Sequence, residues 1–173
     1  VLRRVERLAE GGIHFHAGFE VGKDASLDQL RAKHDAILIA TGVYKAREIN
    51  VAGNDAAGVV AALDYLIASN RKSFGDTVVE FEDGRLDAKG KHVVVIGGGD
   101  TAMDCVRTAV RQGAKSVKCL YRRDRENMPG SQREVSNAEE EGVEFVWLSA
   151  PESFTADKHV KEVAVQGMRL GAP

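Results

Sequence analysis

A short glycine-rich motif between an apolar segment and an amphipathic one limits the folds that this chain can adopt. Residues 93–96 form the apolar run Val-Val-Val-Ile, which is typical of a buried parallel strand. Helical periodicity covers 100–112 and ends at Gly113, and a second strand is predicted over 116–121. A strand, a turn, a helix and a strand within about 30 residues make a βαβ unit. We therefore predict an α/β fold: a Rossmann-like, three-layer dinucleotide-binding domain with a parallel sheet.

The motif itself fits the dinucleotide-binding pattern G-x-G-x-x-A. Its residues are Gly97, Gly98, Gly99, Asp100, Thr101 and Ala102. Gly97 permits a tight turn, Gly99 lets the backbone approach a pyrophosphate, and Ala102 lets the helix pack closely on the strand. The start of the following helix also attracts anions. We predict that the motif binds a dinucleotide, and the alternative is a tight turn without a ligand.

Two arginines follow the second predicted strand, about 20 residues beyond the turn, where many NAD-binding folds have an acidic residue for the ribose 2′-hydroxyl. Arg122 and Arg123 occupy this place instead. A guanidinium group donates forked, charge-assisted hydrogen bonds to a phosphate, so the pair favours NADP(H) over NAD(H). The alternative is a solvated loop in which Asp124 and Glu126 partly neutralise these arginines and Arg125.

The remaining segments give weaker predictions. Before residue 92 we predict a helix over 1–10, a strand over 13–17, a helix over 27–33, a buried parallel strand over 36–40, a helix around 59–67 and a short strand over 77–81. Ser26 and Gln29 form a capping box for the second of these helices. After residue 121 we predict a turn at Pro129-Gly130, a capping box of Ser131 and Glu134, a helix to Gly142, a third parallel strand over 143–148 and a late strand or hairpin over 160–168.

Composition excludes several classes of protein. The formal net charge of −2 provides no field that would attract nucleic acid or a membrane. No apolar run reaches the roughly 20 residues of a membrane span, and the first residues lack the apolar core of a signal peptide, so we expect the cytoplasm. Cys105 and Cys119 lie in apolar patterning without a CxxC pair, which predicts free, buried thiols and no iron–sulfur cluster.

Other candidate sites are weak. His14 and His16 would share a strand face, but no third ligand lies near them, so we predict no metal site. The three acids 139–141 point in different directions on a helix and predict a solvated face. No nucleophile, general acid or general base stands out, so any chemistry must come from a cofactor that the chain positions.

Three stretches closely resemble the small (beta) subunit of bacterial NADPH-dependent glutamate synthase. They are VIGGGDTAMDCVRTAVRQGA at 95–114, YRRDRENMPGSQREV at 121–135 and NAEEEGVEF at 137–145. DAILIATG at 35–42 and INVAGNDAAGVVAALDYL at 49–66 are also similar to this family's passage from its FAD-binding domain into its NADPH-binding domain. Dihydropyrimidine dehydrogenase and the NADPH-oxidising subunits of ferredoxin-linked reductases share the glycine turn and the basic strand end, and they remain the alternative.

The resemblance implies a flavoprotein with two dinucleotide-binding domains. Residues 1–46 would be part of the FAD-binding domain, and 47–173 would be the NADPH-binding domain, truncated at its C-terminus. Residues 97–102 would then hold the NADPH pyrophosphate, and Arg122 and Arg123 would meet the 2′-phosphate. The residues expected near FAD are Ala40, Thr41 and Gly42.

The family's activity is oxidoreduction: hydride passes from NADPH to FAD, and electrons then reach a large subunit that makes glutamate from glutamine and 2-oxoglutarate. The family's first FAD motif, its iron–sulfur cysteines and its C-terminal return to the FAD domain are missing here. We therefore expect a middle piece that binds NADPH without turnover. Exposed apolar edges can make such a piece self-associate. The alternatives are a free-standing NADP-dependent dehydrogenase, for which no catalytic candidate exists, and an interaction module that binds no nucleotide.

Overall fold

The computed structural model describes residues 2–42 and 48–171, which belong to two compact units that divide between residues 42 and 43. The predicted domain boundary between residues 46 and 47 lies outside the described residues. The elements are α1 Leu2–Glu10, α2 Leu27–Lys33, α3 Ala62–Ser73, α4 Val79–Glu82, β1 His92–Ile96, α5 Asp100–Arg111, β2 Ser116–Leu120, α6 Gln132–Glu140, β3 Glu144–Val146, β4 Ser149–Ala156 and β5 Val160–Gly167. No helix in these ranges combines the length and the apolar character that crossing a membrane requires.

The first unit contains the two helices predicted for it. The Ser26 side chain accepts a hydrogen bond from the Gln29 N–H at 3.2 Å, and the Ser26 N–H donates to Gln29 Oε1 at 2.8 Å. This reciprocal pair is the predicted capping box, and it satisfies two donors at the start of α2.

The two strands predicted for the first unit do not form, so the predictions for 13–17 and 36–40 are wrong. Leu38 is 90% exposed and Ile39 is 70% exposed, although the run was expected to be buried. A parallel strand needs neighbouring strands for its backbone hydrogen bonds. Within 2–42 the structure describes no strand that could pair with either segment.

The second unit is organised around a three-stranded parallel sheet with the order β1-β2-β3. Val93 pairs with Val117 and Val95 with Cys119 in the register of β1 and β2. The central strand β2 is the most buried, and Cys119 is completely inaccessible. The predicted βαβ unit, the third parallel strand and the Rossmann-like α/β fold are therefore confirmed.

Helix α5 is the centre of the core because it contacts β1, β2, α3 and α6. Met103, Val106 and Ala109 lie on its buried face. Cys105 and Cys119 belong to the same apolar cluster as free thiols, as predicted. Burial raises the pKa of each thiol to about 12, so both stay protonated at neutral pH.

Three further predictions need comment. The segment over 77–81 is not a strand, since α4 begins at Val79, and α3 begins at Ala62 instead of near residue 59. The late strand predicted over 160–168 is confirmed as β5, but it pairs antiparallel with β4, a strand that the sequence did not predict. The segment before α3 is hydrogen-bonded to β4, because the Phe154 N–H donates to the carbonyl of Ala52 at 2.8 Å.

A cluster of charges joins α5 to α6. The Arg107 guanidinium donates to Glu141 Oε1 from Nε at 2.8 Å, and it also pairs with Glu134. Arg111 reaches the same Glu141 oxygen at 3.0 Å but is far more exposed. The hydrogen bond from Arg107 lowers the pKa of Glu141. The predicted capping box at Ser131 is absent, because its Glu134 is engaged by Arg107 and no side-chain bond caps α6 at Ser131 in the described residues.

We expect Arg107→Ala to lower the free energy of unfolding by about 1–2 kcal/mol, since it leaves the half-buried Glu141 without its main donor. Urea unfolding measures this change. Arg111→Ala is the matched control and should stay within about 0.5 kcal/mol of wild type, as exposed ion pairs do. Because the folded-state pKa of Glu141 is lowered, its contribution exists above the unfolded-state pKa and disappears as the pH falls through the folded-state value. Equal losses in the two variants at neutral pH would contradict this account.

Candidate nucleotide-binding site

The glycine turn lies directly between β1 and α5. The Gly97 N–H donates to the carbonyl of Leu120 at 3.0 Å and so extends the sheet by one residue. Gly97 has a φ of 150°, a value that residues with a side chain rarely adopt. The thiol of the buried Cys119 donates to the Gly97 carbonyl at 3.4 Å. A Cβ on Gly97 would make only an ordinary contact, at 3.5 Å, with the Cβ of Ala102, so the backbone conformation and not a lack of space favours glycine at residue 97.

An aromatic ring leaves no room for a side chain at residue 98. A Cβ on this residue would lie 2.4 Å from the Tyr121 ring, which is closer than any real contact. The Tyr121 side chain is buried, and its hydroxyl donates to the carbonyl of Asn127 at 3.0 Å. Tyr121 therefore joins the end of β2, the glycine turn and the following loop.

Gly99 faces open space. A Cβ there would meet no atom of the described residues within 4 Å. Gly99 is also the N-cap of α5, and no side chain in the described part of the chain caps that end. The first N–H groups of a helix have no acceptor within the helix, so the start of α5 can donate to a bound anion.

The loop over 124–131 folds onto this turn. The Asp124 carboxylate accepts hydrogen bonds from the backbone N–H and the side-chain amide of Asn127, at 2.9 and 2.7 Å, and these bonds lower its pKa. The Gly130 N–H donates to the carbonyl of Gly98 at 2.8 Å, and a Cβ on Gly130 would lie only 3.0 Å from that oxygen. The loop and the turn thus form one closely packed corner at the carboxyl end of the sheet.

The three arginines after β2 fall into two groups. Arg125 donates to Glu139 at 2.6 Å and to the Ser136 hydroxyl at 3.2 Å, so it holds the loop to α6. The side chains of Arg122 and Arg123 are exposed and form no ion pair or hydrogen bond with the residues that the structure describes. Tyr121, which directly precedes them, touches the turn, so two unpaired positive charges follow the residue that packs on Gly98.

Asp100 and Thr101 begin α5 and are exposed. The Asp100 carboxylate accepts a hydrogen bond from the Ser131 N–H at 3.1 Å. The carboxylate therefore faces the loop and has no donor for an anionic ligand, whereas the backbone N–H groups of both residues and the Thr101 hydroxyl can donate to one.

Comparison with known proteins agrees with this geometry. The family profile described as pyridine nucleotide-disulphide oxidoreductase matches residues 5–170. The chain belongs to this family. It is 67% identical over its whole length to a putative glutamate synthase [NADPH] small chain of Cereibacter sphaeroides, and 65% identical over 99% of its length to the glutamate synthase [NADPH] small chain of Azospirillum brasilense. It spans only 41% and 36% of these two relatives. The resemblance drawn from the motifs is confirmed.

Solved structures of the oxidoreductase family confirm the fold. FprA of Mycobacterium tuberculosis superimposes with a TM-score of 0.72 over 98% of this chain and 51% of that protein. A second FprA structure, in complex with NADPH, gives 0.71. Sequence identity is 17% in both cases, so the likeness concerns the fold alone.

The residues expected near FAD lie in the first unit. Ala40, Thr41 and Gly42 are exposed and belong to no helix or strand, and Gly42 has a φ of 72°. Their assignment to FAD, like that of residues 97–102, Arg122 and Arg123 to NADPH, stays a prediction. Among the described residues no three His, Cys, Asp or Glu side chains are grouped as a metal site would require.

Sequence reasoning missed two parts of this candidate site. Gly98 occupies a variable position of the G-x-G-x-x-A pattern, and nothing local shows that a ring would press on it. Tyr121 was counted only as the end of a strand. The available signal was its position: an aromatic residue at the carboxyl end of the strand parallel to β1 lies beside the turn that follows β1.

We expect Gly98→Ala to lower the free energy of unfolding by about 1–3 kcal/mol, because the new methyl group must displace the buried Tyr121 ring. Gly99→Ala is the matched control and should lower stability by less, at most about 1 kcal/mol, since its methyl group enters open space and the remaining cost is the preference of an N-cap for glycine over alanine. Urea unfolding monitored by circular dichroism measures both. Similar losses in the two variants would contradict the contact between Gly98 and Tyr121.

Proposed function

We propose that residues 48–171 are the NADPH-binding part of a flavin-dependent oxidoreductase that positions NADPH for hydride transfer to FAD. The single observation that carries this proposal is an open glycine turn without a side-chain cap, followed at the end of the adjacent strand by two exposed arginines that have no partner in the ranges 2–42 and 48–171. The names of the most similar relatives support it, since they are glutamate synthase [NADPH] small chains.

The start of α5 fits a pyrophosphate. The open space at Gly99 lets the phosphate oxygens approach the backbone. The N–H groups of Asp100 and Thr101 have no backbone acceptor among the described residues and can donate to a phosphate, whereas the Ala102 N–H donates to the carbonyl of Gly99 at 2.9 Å. The 12-residue length of α5 adds the positive end of its dipole. In this proposal the backbone of residues 97–102 binds the pyrophosphate, and no side chain there supplies positive charge.

Arg122 and Arg123 fit the 2′-phosphate that distinguishes NADPH from NADH. Neither guanidinium is neutralised by an acid of the described residues, whereas Arg125 is paired with Glu139. A phosphate bound there gains charge-assisted, forked hydrogen bonds without breaking an existing ion pair. Discrimination between the two nucleotides therefore depends on Arg122 and Arg123.

The chain's own contribution to the chemistry is orientation. FAD, when bound in the longer protein, supplies the hydride acceptor, and we place Ala40, Thr41 and Gly42 near it. The two cysteines do not serve as redox-active thiols, because burial keeps both protonated and inaccessible. We assign them to packing of the core.

The electrons would serve glutamate synthesis from glutamine and 2-oxoglutarate, through a large-subunit partner of the cytoplasmic holoenzyme. The names of two relatives, glutamate synthase [NADPH] small chains, support glutamate synthesis as the destination, and the chain covers 36–41% of their length. The 173-residue chain by itself would bind NADPH without oxidising it.

Titration of the chain with NADPH and with NADH tests the proposed function by calorimetry. We expect NADPH to bind more tightly, and Arg122→Ala/Arg123→Ala to remove about 1–3 kcal/mol of this preference, the usual worth of charge-assisted hydrogen bonds. The effect should concern NADPH, because NADH lacks the 2′-phosphate.

Arg3→Ala/Arg4→Ala is the matched control, since it removes another adjacent and exposed arginine pair and changes the net charge equally. It should leave both affinities unchanged. Equal binding of the two nucleotides by wild type, or an equal effect of the two double variants, would refute the assignment of Arg122 and Arg123.

Gly99→Ala provides a second test. Its methyl group occupies the space assigned to the pyrophosphate, so binding of NADPH and NADH should weaken equally, by about 1–3 kcal/mol, as for other overpacked sites. The same calorimetric titrations measure both losses. Because the variant loses little stability, unaltered affinity would show that no nucleotide approaches Gly99.

A further inference from the structure

Asp100 is an unusual neighbour for a phosphate site. It is the first residue of α5, one position after the open N-cap Gly99, and its side chain is exposed. A carboxylate there gains from the positive end of the helix dipole, but it would repel the phosphates of a nucleotide. Its place in the motif therefore requires an explanation other than contact with the ligand.

The hydrogen bonds of Asp100 give that explanation. Its Oδ1 accepts from the backbone N–H of Ser131 at 3.1 Å. Ser131 is the N-cap of α6, and no side-chain bond from Ser131 itself caps that helix in the described part of the chain. One carboxylate is thus placed at the start of two helices, α5 and α6, and both helix ends favour a negative charge.

A second hydrogen bond, next to the one between Ser131 and Asp100, also attaches the 124–131 loop to the glycine turn. The Gly130 N–H donates to the carbonyl of Gly98 at 2.8 Å, and the next residue, Ser131, donates to Asp100. Two successive N–H groups of the 124–131 loop are therefore bound to the glycine turn, one by its backbone and one by its only acidic side chain. The remaining link, from Tyr121 to Asn127, is formed at the other end of the loop.

We propose that the side chain of Asp100 has a positioning role: its carboxylate fixes the 124–131 loop against the glycine turn and so shapes the nucleotide site without itself touching the nucleotide. This inference rests on the proposed function, because the site it shapes is the NADPH site. The N–H of Ser131, at the start of α6, donates to the carboxylate, so the N–H groups at the start of α5 remain available for the phosphates. Loss of the carboxylate frees the loop and weakens binding of the pyrophosphate, which NADPH and NADH share.

The test compares Asp100→Ala with the conservative Asp100→Asn in the 173-residue chain. The matched control is Asp64→Ala, which removes an exposed aspartate from the first turn of α3, another 12-residue helix. Calorimetry gives the affinities for NADPH and NADH. Hydrogen exchange of the Ser131 amide, measured by NMR without nucleotide, reports directly on the hydrogen bond to Asp100.

We expect Asp100→Ala to accelerate exchange at Ser131 and to weaken the binding of both nucleotides by a similar factor, roughly three- to tenfold, which is the usual net effect of losing one hydrogen bond. Asp100→Asn keeps an acceptor oxygen and should recover most of both effects. Asp64→Ala should change neither. A general loss of structure would accelerate exchange throughout the core, including Val106 and Val135, and would not be rescued by asparagine.

Unchanged exchange at Ser131, or nucleotide binding by Asp100→Ala that equals or exceeds that of wild type, overturns the inference. The same holds if Asp64→Ala reproduces the losses. If the wild-type chain binds no NADPH, the proposed function fails, while the exchange rate at Ser131 still decides whether Asp100 holds the loop.

Discussion

The contact between the Tyr121 ring and Gly98 is the constraint on which the candidate site depends. It brings the end of β2 against the turn after β1, and the Tyr121 hydroxyl extends the contact to Asn127 in the following loop. The ring occupies the space that a side chain at residue 98 would need, so glycine at this position lets the turn pack directly against Tyr121. The start of α5 is then left open on its other side at Gly99. The glycine turn is therefore closely packed at Gly98 and open to a ligand at Gly99.

The parts of the fold that were predicted from the sequence depend on local signals. The apolar run before Gly97 and the helix that ends near Gly113 specify a βαβ unit with contacts that are near in sequence. The capping box of Ser26 and Gln29 formed as predicted, since its two bonds join residues only three apart in the sequence and no other side-chain bond to either residue occurs in the described part of the chain. The similar pair at Ser131 and Glu134 did not form, because Arg107, distant in sequence, binds Glu134. The run at 36–40 shows the same limit, since a strand needs partners that its own residues do not supply.

The candidate site, like the fold, has parts that local sequence signals predict and parts that depend on residues distant in sequence. Spacing alone predicted where the glycine turn and the arginines lie, because the dinucleotide-binding pattern prescribes both positions. Their part in phosphate binding stays a prediction. Spacing did not separate Arg125 from Arg122 and Arg123, since that difference depends on Glu139 and Ser136 in a later helix. It also grouped Asp100 with the phosphate ligands, although a carboxylate has no donor to offer an anion. Only the position of Ser131 shows where that charge is directed.

The two buried thiols have a practical consequence for spectroscopy. The chain has only Cys105 and Cys119, and both are inaccessible and protonated at neutral pH. A maleimide or nitroxide reagent attacks the exposed thiolate far faster than a buried thiol. A single cysteine introduced at an exposed residue of the loop, such as Glu126, would therefore carry a fluorophore or spin label selectively in the otherwise native sequence. Motion of the corner around the glycine turn can then be followed without removing the thiol that lies beneath Gly97.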